Sequence, residues 1–414
     1  MNDVYVVGVG MTPFGKFLDL SVKDLTREAV LAALADAGIG RERIDAAFFA
    51  NAAQPVLDGQ FMIGGQVALR DCGIAGIPIV NVENACASAS TAFHLAVGQL
   101  KAGLADVVLA VGAEKMYDAD KSRSFAIFDG AWDVHEIDAT SRALLALGDG
   151  VVPPPGRPEG AGPRSLFMDI YAALAKSHMK TFGSTERQLA AVASKNHFHS
   201  TMNPLSQYRN PMSIDEVLAA RMICWPLTLP MCSPISDGAA AAVLVSAEGL
   251  RHFDRSRAVR VRASVLASGR ERSAAEVDRH IAHLAARRAY EIAGVGPEDM
   301  SVAEVHDATA FAEIVQTENL GFCAFGEGGV IAERGDTRLG GRIPINPSGG
   351  LGRKGHPIGA TGLAQIHELV LQLRGEAGPR QVEGARLGIA ENGGGFIGVE
   401  EAAACITILS REAA

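Results

Sequence analysis

The sequence predicts an α/β protein with a mostly parallel sheet flanked by helices, and three observations carry that reading. Strand-like apolar runs alternate with helix-spaced amphipathic segments from the first residues onward. The helical segments end where glycine permits a left-handed cap, at Gly38 and Gly103. The 414 residues are 48% hydrophobic and 21% charged, which suits two or three domains with buried cores.

In order, residues 4–9 are apolar and β-branched, and 22–37 carry apolar positions at helical spacing. Residues 46–50 and 77–82 have the pattern of buried strands, 87–101 that of a helix, and 106–112 that of another strand. The stretch from about 115 to 234 breaks the rhythm. It contains VVPPPGRPEGAGP, whose Pro/Gly density marks a surface loop, followed by helical patterns over 167–181 and 184–197. It reads as an excursion from the first sheet, suited to covering a ligand. Alternation resumes at 238–245, which closes a first half of residues 1–250. A second half, 251–414, repeats the theme with a strand at 259–266, a helix at 274–293 and a strand at 302–305. Each half aims one strand-to-helix turn, NVENA and VAEVHDA, at a shared centre.

Composition excludes whole classes of function. The net charge of −9, with no run of Lys or Arg, argues against nucleic acid, because phosphate binding needs a concentrated basic face. The six cysteines fall in no CxxC or zinc spacing and read as free thiols of a reducing cytosol. No apolar stretch reaches the roughly 18–20 residues of a membrane span. The N-terminus has no signal-peptide pattern and the C-terminal SREAA is no peroxisomal address, so a cytoplasmic location is expected.

Three segments could carry chemistry. In NVENACASAS, small residues surround Cys86 where a strand gives way to a helix. A thiol there faces the positive end of the helix dipole, which is expected to lower its pKa. In NPSGGLGRKGHPIGATG, six glycines in seventeen residues imply tight folding around something, and His356 is the side chain able to exchange protons near neutrality. The GxGxxG at 350–355 is no dinucleotide fingerprint, since Asn346-Pro347-Ser348 rather than a strand precedes it. GIAENGGGFIG, residues 388–398, reads as a glycine-rich hairpin between two core strands, whose N–H groups could form an oxyanion hole. His306-Asp307 adds a polar pair after a strand.

Together and in this order these segments resemble the thiolase superfamily, especially its sterol-carrier-protein-x-like, lipid-transfer-type branch. VYVVGVGMTPFGKF, NACASAS, GAEKM, SDGAAAAVL, EVHD, GRKGHPIGATG and the final GGG turn carry the likeness over nearly the whole chain. The resemblance implies a five-layer α-β-α-β-α fold of two similar halves with an inserted loop domain. It implies Cys86 as the acylated nucleophile, His356 as its activator and a donor to the thioester oxygen, and His306 in the oxyanion hole. The N–H groups of Cys86 and Gly393 would form a second such hole. Coenzyme A is implied as substrate or product, with no further cofactor and no metal, and the assembly as a homodimer or dimer of dimers.

The departure lies in the second, acid/base cysteine of such enzymes. Its two family positions hold Glu391 and Ala308 here. Glu391 could replace it only with a pKa raised from about 4.3 toward neutrality. The expected function is an acyl-CoA C-acyltransferase: thiolysis of a 3-oxoacyl-CoA, or the reverse condensation, through a Cys86 thioester. The alternatives are a carbon–carbon lyase acting on CoA esters with an OB-fold partner, and a non-catalytic acyl-CoA-binding subunit. Trapping an acyl group on Cys86 separates the first from the others.

Overall fold

The computed structural model describes residues 3–411. The C-terminal residues 412–414, part of the segment in which no peroxisomal address was read, lie outside them, as do residues 1 and 2.

Nine strands form one mixed sheet. The first half contributes β1 (Val4–Met11), β2 (Ala46–Ala50), β3 (Ile79–Val82) and β4 (Val107–Glu114). A small hairpin in the excursion supplies β5 (Met222–Cys224) and β6 (Leu227–Thr228), and β7 (Gly238–Ser246) returns to the sheet. The second half contributes β8 (Val259–Ser268), β9 (Val302–Glu304), β10 (Leu387–Ile397) and β11 (Glu400–Arg411). Their order is β3-β2-β4-β7-β1-β8-β11-β10-β9. Only the β2–β3, β2–β4 and β9–β10 pairs are parallel, and the other five neighbours run antiparallel. The expectation of a mostly parallel sheet is therefore corrected. The last strand of each half runs antiparallel to the sheet strand before it, β11 returning from β10 through a tight turn and β7 returning from β4 through the excursion.

The two halves share one topology. Within the first, the strands lie in the order first–last–fourth–second–third, as β1-β7-β4-β2-β3. The second repeats it as β8-β11-β10-β9, and a parallel bridge from Ala303 to Ile345 marks where the missing edge strand would lie. Within the sheet they join at β1 and β8, where the paired residues are Tyr5–Arg260 and Val6–Val259.

Side-chain alternation explains the layers. Val4 and Val6 of β1 and Ala240, Ala242 and Leu244 of β7 pack in a central core with the helices Ser88–Lys101 and Thr361–Arg374. Tyr5, Val7, Ala241, Val243 and Val245 face the other way, onto the helix Val22–Ala37. In the second half Ile406 and Ile408 point outward to the helix Ile281–Ala293, while Leu409 joins the central core. Helix, strands, paired central helices, strands and helix thus make five layers. The inner strands β1, β4 and β7 are buried along their whole length, whereas β3, expected to be buried, lies at the sheet edge with Val80 and Asn81 exposed. The outer helix of the second half begins at Ile281 rather than near 274, because the preceding SAAEVDRH offers no apolar stripe. The glycine-rich segment 388–398 is not itself a hairpin. It is β10, and the chain reverses only at Gly398-Val399.

Candidate functional site

The turn carrying Cys86 is built by its neighbours. After β3, Ala85 adopts a left-handed φ of 47°, rare for a residue with a Cβ, and Ala85–Ala87 form a single 3-10 turn. Ser88 staples it, its Oγ donating to Ala85 O at 2.6 Å and accepting from Asn84 N at 2.8 Å. Helix Ser88–Lys101 starts directly afterwards, as the sequence predicts. Gly394 closes the turn from the second half. A Cβ there would lie 2.3 Å from Asn84 O and 2.5 Å from Ala87 N, so only glycine permits this approach.

His356 arrives on the loop between the helices Gly350–Lys354 and Thr361–Arg374. Gly355 before it holds φ 121°, and Ser236 Oγ accepts from the His356 backbone N–H at 3.0 Å. Three buried carboxylates tie the segments of the site together. Glu114 accepts from the N–H groups of Ala52, Ala53 and Gly359 and from Asn51 Nδ2, at 2.7–3.0 Å, while burial raises its pKa to about 8. Asp307 accepts from Leu351 N at 2.6 Å and Gly352 N at 3.3 Å. Asp237 receives Met116 N and Tyr117 N at 2.7 and 2.8 Å. The acids of GAEKM, SDG and HD are therefore joints between segments.

Cys86, His306 and His356 come together, one side-chain N or S atom of each lying within 4.8 Å of the others. That proximity serves proton transfer and is also short enough for a single soft cation. The histidine rings sit 5.1 Å apart, and their hydrogen bonds assign them opposite tautomers. Thr361 Oγ1 donates its one proton to Pro357 O at 3.0 Å, so it accepts from His356 Nδ1–H at 2.8 Å. His356 Nε2 is then an unprotonated lone pair. At His306 the backbone N–H of Gly393 donates to Nδ1 at 3.1 Å. His306 therefore carries its proton on Nε2, which is buried with no partner among the described residues. Burial lowers the pKa of His306 to about 4 and that of His356 well below 6.5. Both rings are neutral at pH 7, one presenting an acceptor and the other a donor.

Three expectations are corrected here. The Cys86 thiol is pushed up to about 12, first by burial and then by Glu114, which outweigh the N–H groups of Cys86 and Gly395 facing the sulfur. It is a neutral thiol at rest rather than a helix-stabilised thiolate. The N–H of Gly393 is committed to His306 and is not free for an oxyanion, whereas that of Gly395 faces the sulfur. Resting His356 carries no proton on Nε2 and near neutral pH cannot donate from it.

Glu391 does not line the cavity. It is buried, its Oε2 accepts from His306 N at 2.9 Å and its Oε1 has no partner. Burial, reinforced by Glu401, raises its pKa well above 4.5, so it is held as an acid. Since an amide oxygen can equally accept from His306 N, Glu391→Gln is expected to keep turnover within about 3-fold of wild type. A greater loss in steady-state assays would return Glu391 to the chemistry.

The site opens into a cavity of about 880 Å³, lined on one side by the excursion. Phe167, Tyr171 and Phe396 line it, Phe396 lying 5.6 Å from Phe167 and 5.9 Å from Tyr171, and Trp132 stacks on Phe167 at 4.5 Å. Lys16, Lys121, Arg164 and Arg221 also line it. Sequence reasoning missed Thr361 and Glu401, and held Gly395 only as part of a glycine-rich segment able to form an oxyanion hole. The GATG motif contained the signal for Thr361, five residues beyond His356.

The comparisons with known proteins agree with this geometry. The N-terminal domain model of thiolase matches residues 4–217, and the thiolase C-terminal domain-like model matches residues 269–411. The chain belongs to the thiolase family. That places it among the thiolase-like acyltransferases, as the motifs predict. Thiolase-family relatives extend over almost its whole length. It is 38% identical to an acetyl-CoA acetyltransferase of Methanothermobacter thermautotrophicus, covering 99% of this chain and 100% of the relative. It is also 38% identical to sterol carrier protein 2 of Bos taurus, over 94% of this chain and 70% of the relative, which agrees with the lipid-transfer-type branch. The solved structure of an Ltp2-ChsH2(DUF35) aldolase superposes with a TM-score of 0.75 at 24% identity, covering 99% of this chain and 98% of that one, a likeness of fold. No helix among the described residues of this thiolase-family chain is long and apolar enough to cross a membrane.

Proposed function

We propose that the chain is an acyl-CoA C-acyltransferase that cleaves 3-oxoacyl-CoA with coenzyme A, or condenses two acyl-CoA molecules in reverse, through a thioester on Cys86. The observation that carries this reading is the pair of opposite histidine tautomers beside the thiol. His356 Nε2 takes the thiol proton as sulfur attacks the acyl-CoA carbonyl and returns it to the leaving coenzyme A sulfur. The N–H groups of Cys86 and Gly395 receive the oxygen of the Cys86 thioester, and His306 Nε2–H receives that of the second acyl-CoA. Lys16, Lys121, Arg164 and Arg221 suit the phosphates of coenzyme A. Intact-protein mass spectrometry after incubation with a panel of acyl-CoAs tests the reading. A mass increase that disappears in a Cys86 variant supports it, and an unmodified wild-type protein refutes it.

A second reading is favoured by one observation: Ala308 stands where lipid-transfer-type thiolases carry a second cysteine. A lyase assisted by an OB-fold partner would cleave a carbon–carbon bond with no acyl group on Cys86, which the same experiment distinguishes.

The six free thiols support a reducing compartment such as the cytoplasm. The β3 edge supports a homodimer. Val80 is 44% exposed on that unpaired edge, and the exposed Phe61 and Met62 lead into a helix hydrogen-bonded to it through Gly65 N and Asn81 Oδ1 at 2.7 Å. Val80→Asp is expected to convert the dimer to monomer in sedimentation velocity. A wild-type protein that sediments as a monomer would sink the assignment.

A further inference from the structure

Acyl transfer through Cys86 leaves one proton without a carrier, the one on the carbon beside the second thioester carbonyl. Ala308 cannot carry it, and Glu391 is turned to His306 N outside the cavity lining. One other carboxylate near His306 does line the cavity. Glu401, on β11, lies against Gly393, where a Cβ would meet its Cγ at 2.7 Å. The N–H of that same Gly393 fixes the His306 ring, so one glycine sets the oxyanion donor and the carboxylate side by side. Glu401 is also the charge that acts most strongly on His306.

The carboxylate is held from behind. Gln316 Nε2 donates to its Oε1 at 2.9 Å, and Gln316 is positioned in turn by Asn319 Nδ2 at 2.9 Å. His280 Nε2 stands 3.2 Å from Oε2 but outside hydrogen-bonding direction, and Oε2 makes no hydrogen bond among the described residues. Glu401 is a half-buried carboxylate at the cavity wall, with Oε1 anchored and Oε2 enclosed without a hydrogen bond to any described residue, which leaves it able to take a proton.

We propose that Glu401 is the acid/base for the α-carbon, in place of the family's second cysteine; this rests on the acyl-transfer reading above. In the condensing direction Glu401 removes one α-proton from the second acyl-CoA. The C–H electron pair becomes an enolate whose oxygen accepts from His306 Nε2–H. The enolate carbon attacks the thioester carbonyl on Cys86, the C–C bond forms and the C–S bond breaks. The Glu401 proton then passes through cavity water to the Cys86 thiolate, restoring carboxylate and thiol. Thiolysis is the reverse, with Glu401 protonating the leaving carbanion.

The test is exchange of the α-hydrogens of acetyl-CoA and propionyl-CoA in D2O, beside the rate of Cys86 acylation by the same compounds. Glu401→Gln is expected to lose at least about 100-fold in exchange while acylating Cys86 within 3-fold of wild type. Glu401→Asp, with the carboxylate drawn back by one methylene, should exchange faster than the glutamine variant. Exchange unchanged in Glu401→Gln overturns the proposal, and so does a parallel loss of exchange and acylation, which marks a structural role. Wild-type enzyme that acylates but catalyses no exchange overturns it too. Absence of acylation in the wild type instead overturns the acyl-transfer reading beneath it.

Discussion

Cys86→Ser is expected to reduce acyl transfer by at least ~1,000-fold and to leave no acyl group on the protein after incubation with acyl-CoA. The sulfur is enclosed enough that its pKa stands at about 12, and a hydroxyl in its place would be harder still to deprotonate. His356 Nε2 can accept a proton only from a group acidic enough to release it as bond formation begins, and an alcohol in this enclosed site is not. Fold and binding should survive. The 3-10 turn is held by Ser88 and by the Gly394 approach, neither of which uses the Cys86 side chain. Thermal unfolding should shift by less than about 3 °C, the effect of roughly 1 kcal/mol in a chain of this size. Turnover within tenfold of wild type in the folded variant would remove Cys86 from the mechanism.

Much of this was legible in the sequence because local patterns and glycines encode it. The helix Val22–Ala37 and strand Ala46–Ala50 match their predicted bounds, since a capping serine, a terminal Gly38 and an all-apolar run leave little choice. Cys86, His306 and His356 were legible as types in tight turns, and the structure brings all three together. Strand direction was not legible. Whether β7 pairs beside β1 or elsewhere depends on contacts more than two hundred residues apart. The electrostatics of Cys86 were misread for a similar reason. The dipole of the following helix can be read locally, but the enclosing residues and Glu114 come from elsewhere in the chain. Glu391 and Glu401 show the same limit at its sharpest. Ten residues apart on two paired strands, one is turned to His306 N and the other toward the cavity, and no periodicity in GIAENGGGFIGVEE distinguishes them.

Buried acids carry much of the geometry. Glu114, Asp237 and Asp307 each gather two or more backbone N–H groups from segments far apart in sequence. Each such N–H would otherwise be buried without a partner, at a cost of about 1–3 kcal/mol. The loop bearing His356 is thereby fixed before substrate arrives, as the one bearing Cys86 is by Ser88 and the Gly394 approach, which is what positioning a base within reach of its thiol requires.

His356→Ala is expected to lower kcat/KM about 1,000-fold, within the range of losing a general base, and to change the pH dependence of Cys86 alkylation in a way that identifies its role. In the wild type the imidazole is neutral above its depressed pKa and the thiol stays protonated up to about 12. Iodoacetamide reactivity should therefore be flat from roughly pH 6.5 to 9, with no inflection near 8.5, where an ordinary cysteine titrates. It should fall only in acid, as His356 takes a proton and loses its accepting lone pair. In His356→Ala no base is present. The rate should then track the small thiolate fraction, rising about tenfold per pH unit across the same range. The two enzymes differ most near pH 6.5 and converge in alkali. Added imidazole should restore part of the activity, since the substitution leaves a ring-sized space beside the sulfur. A wild-type profile inflecting near 8.5, or identical profiles for both proteins, would show that His356 does not accept the thiol proton.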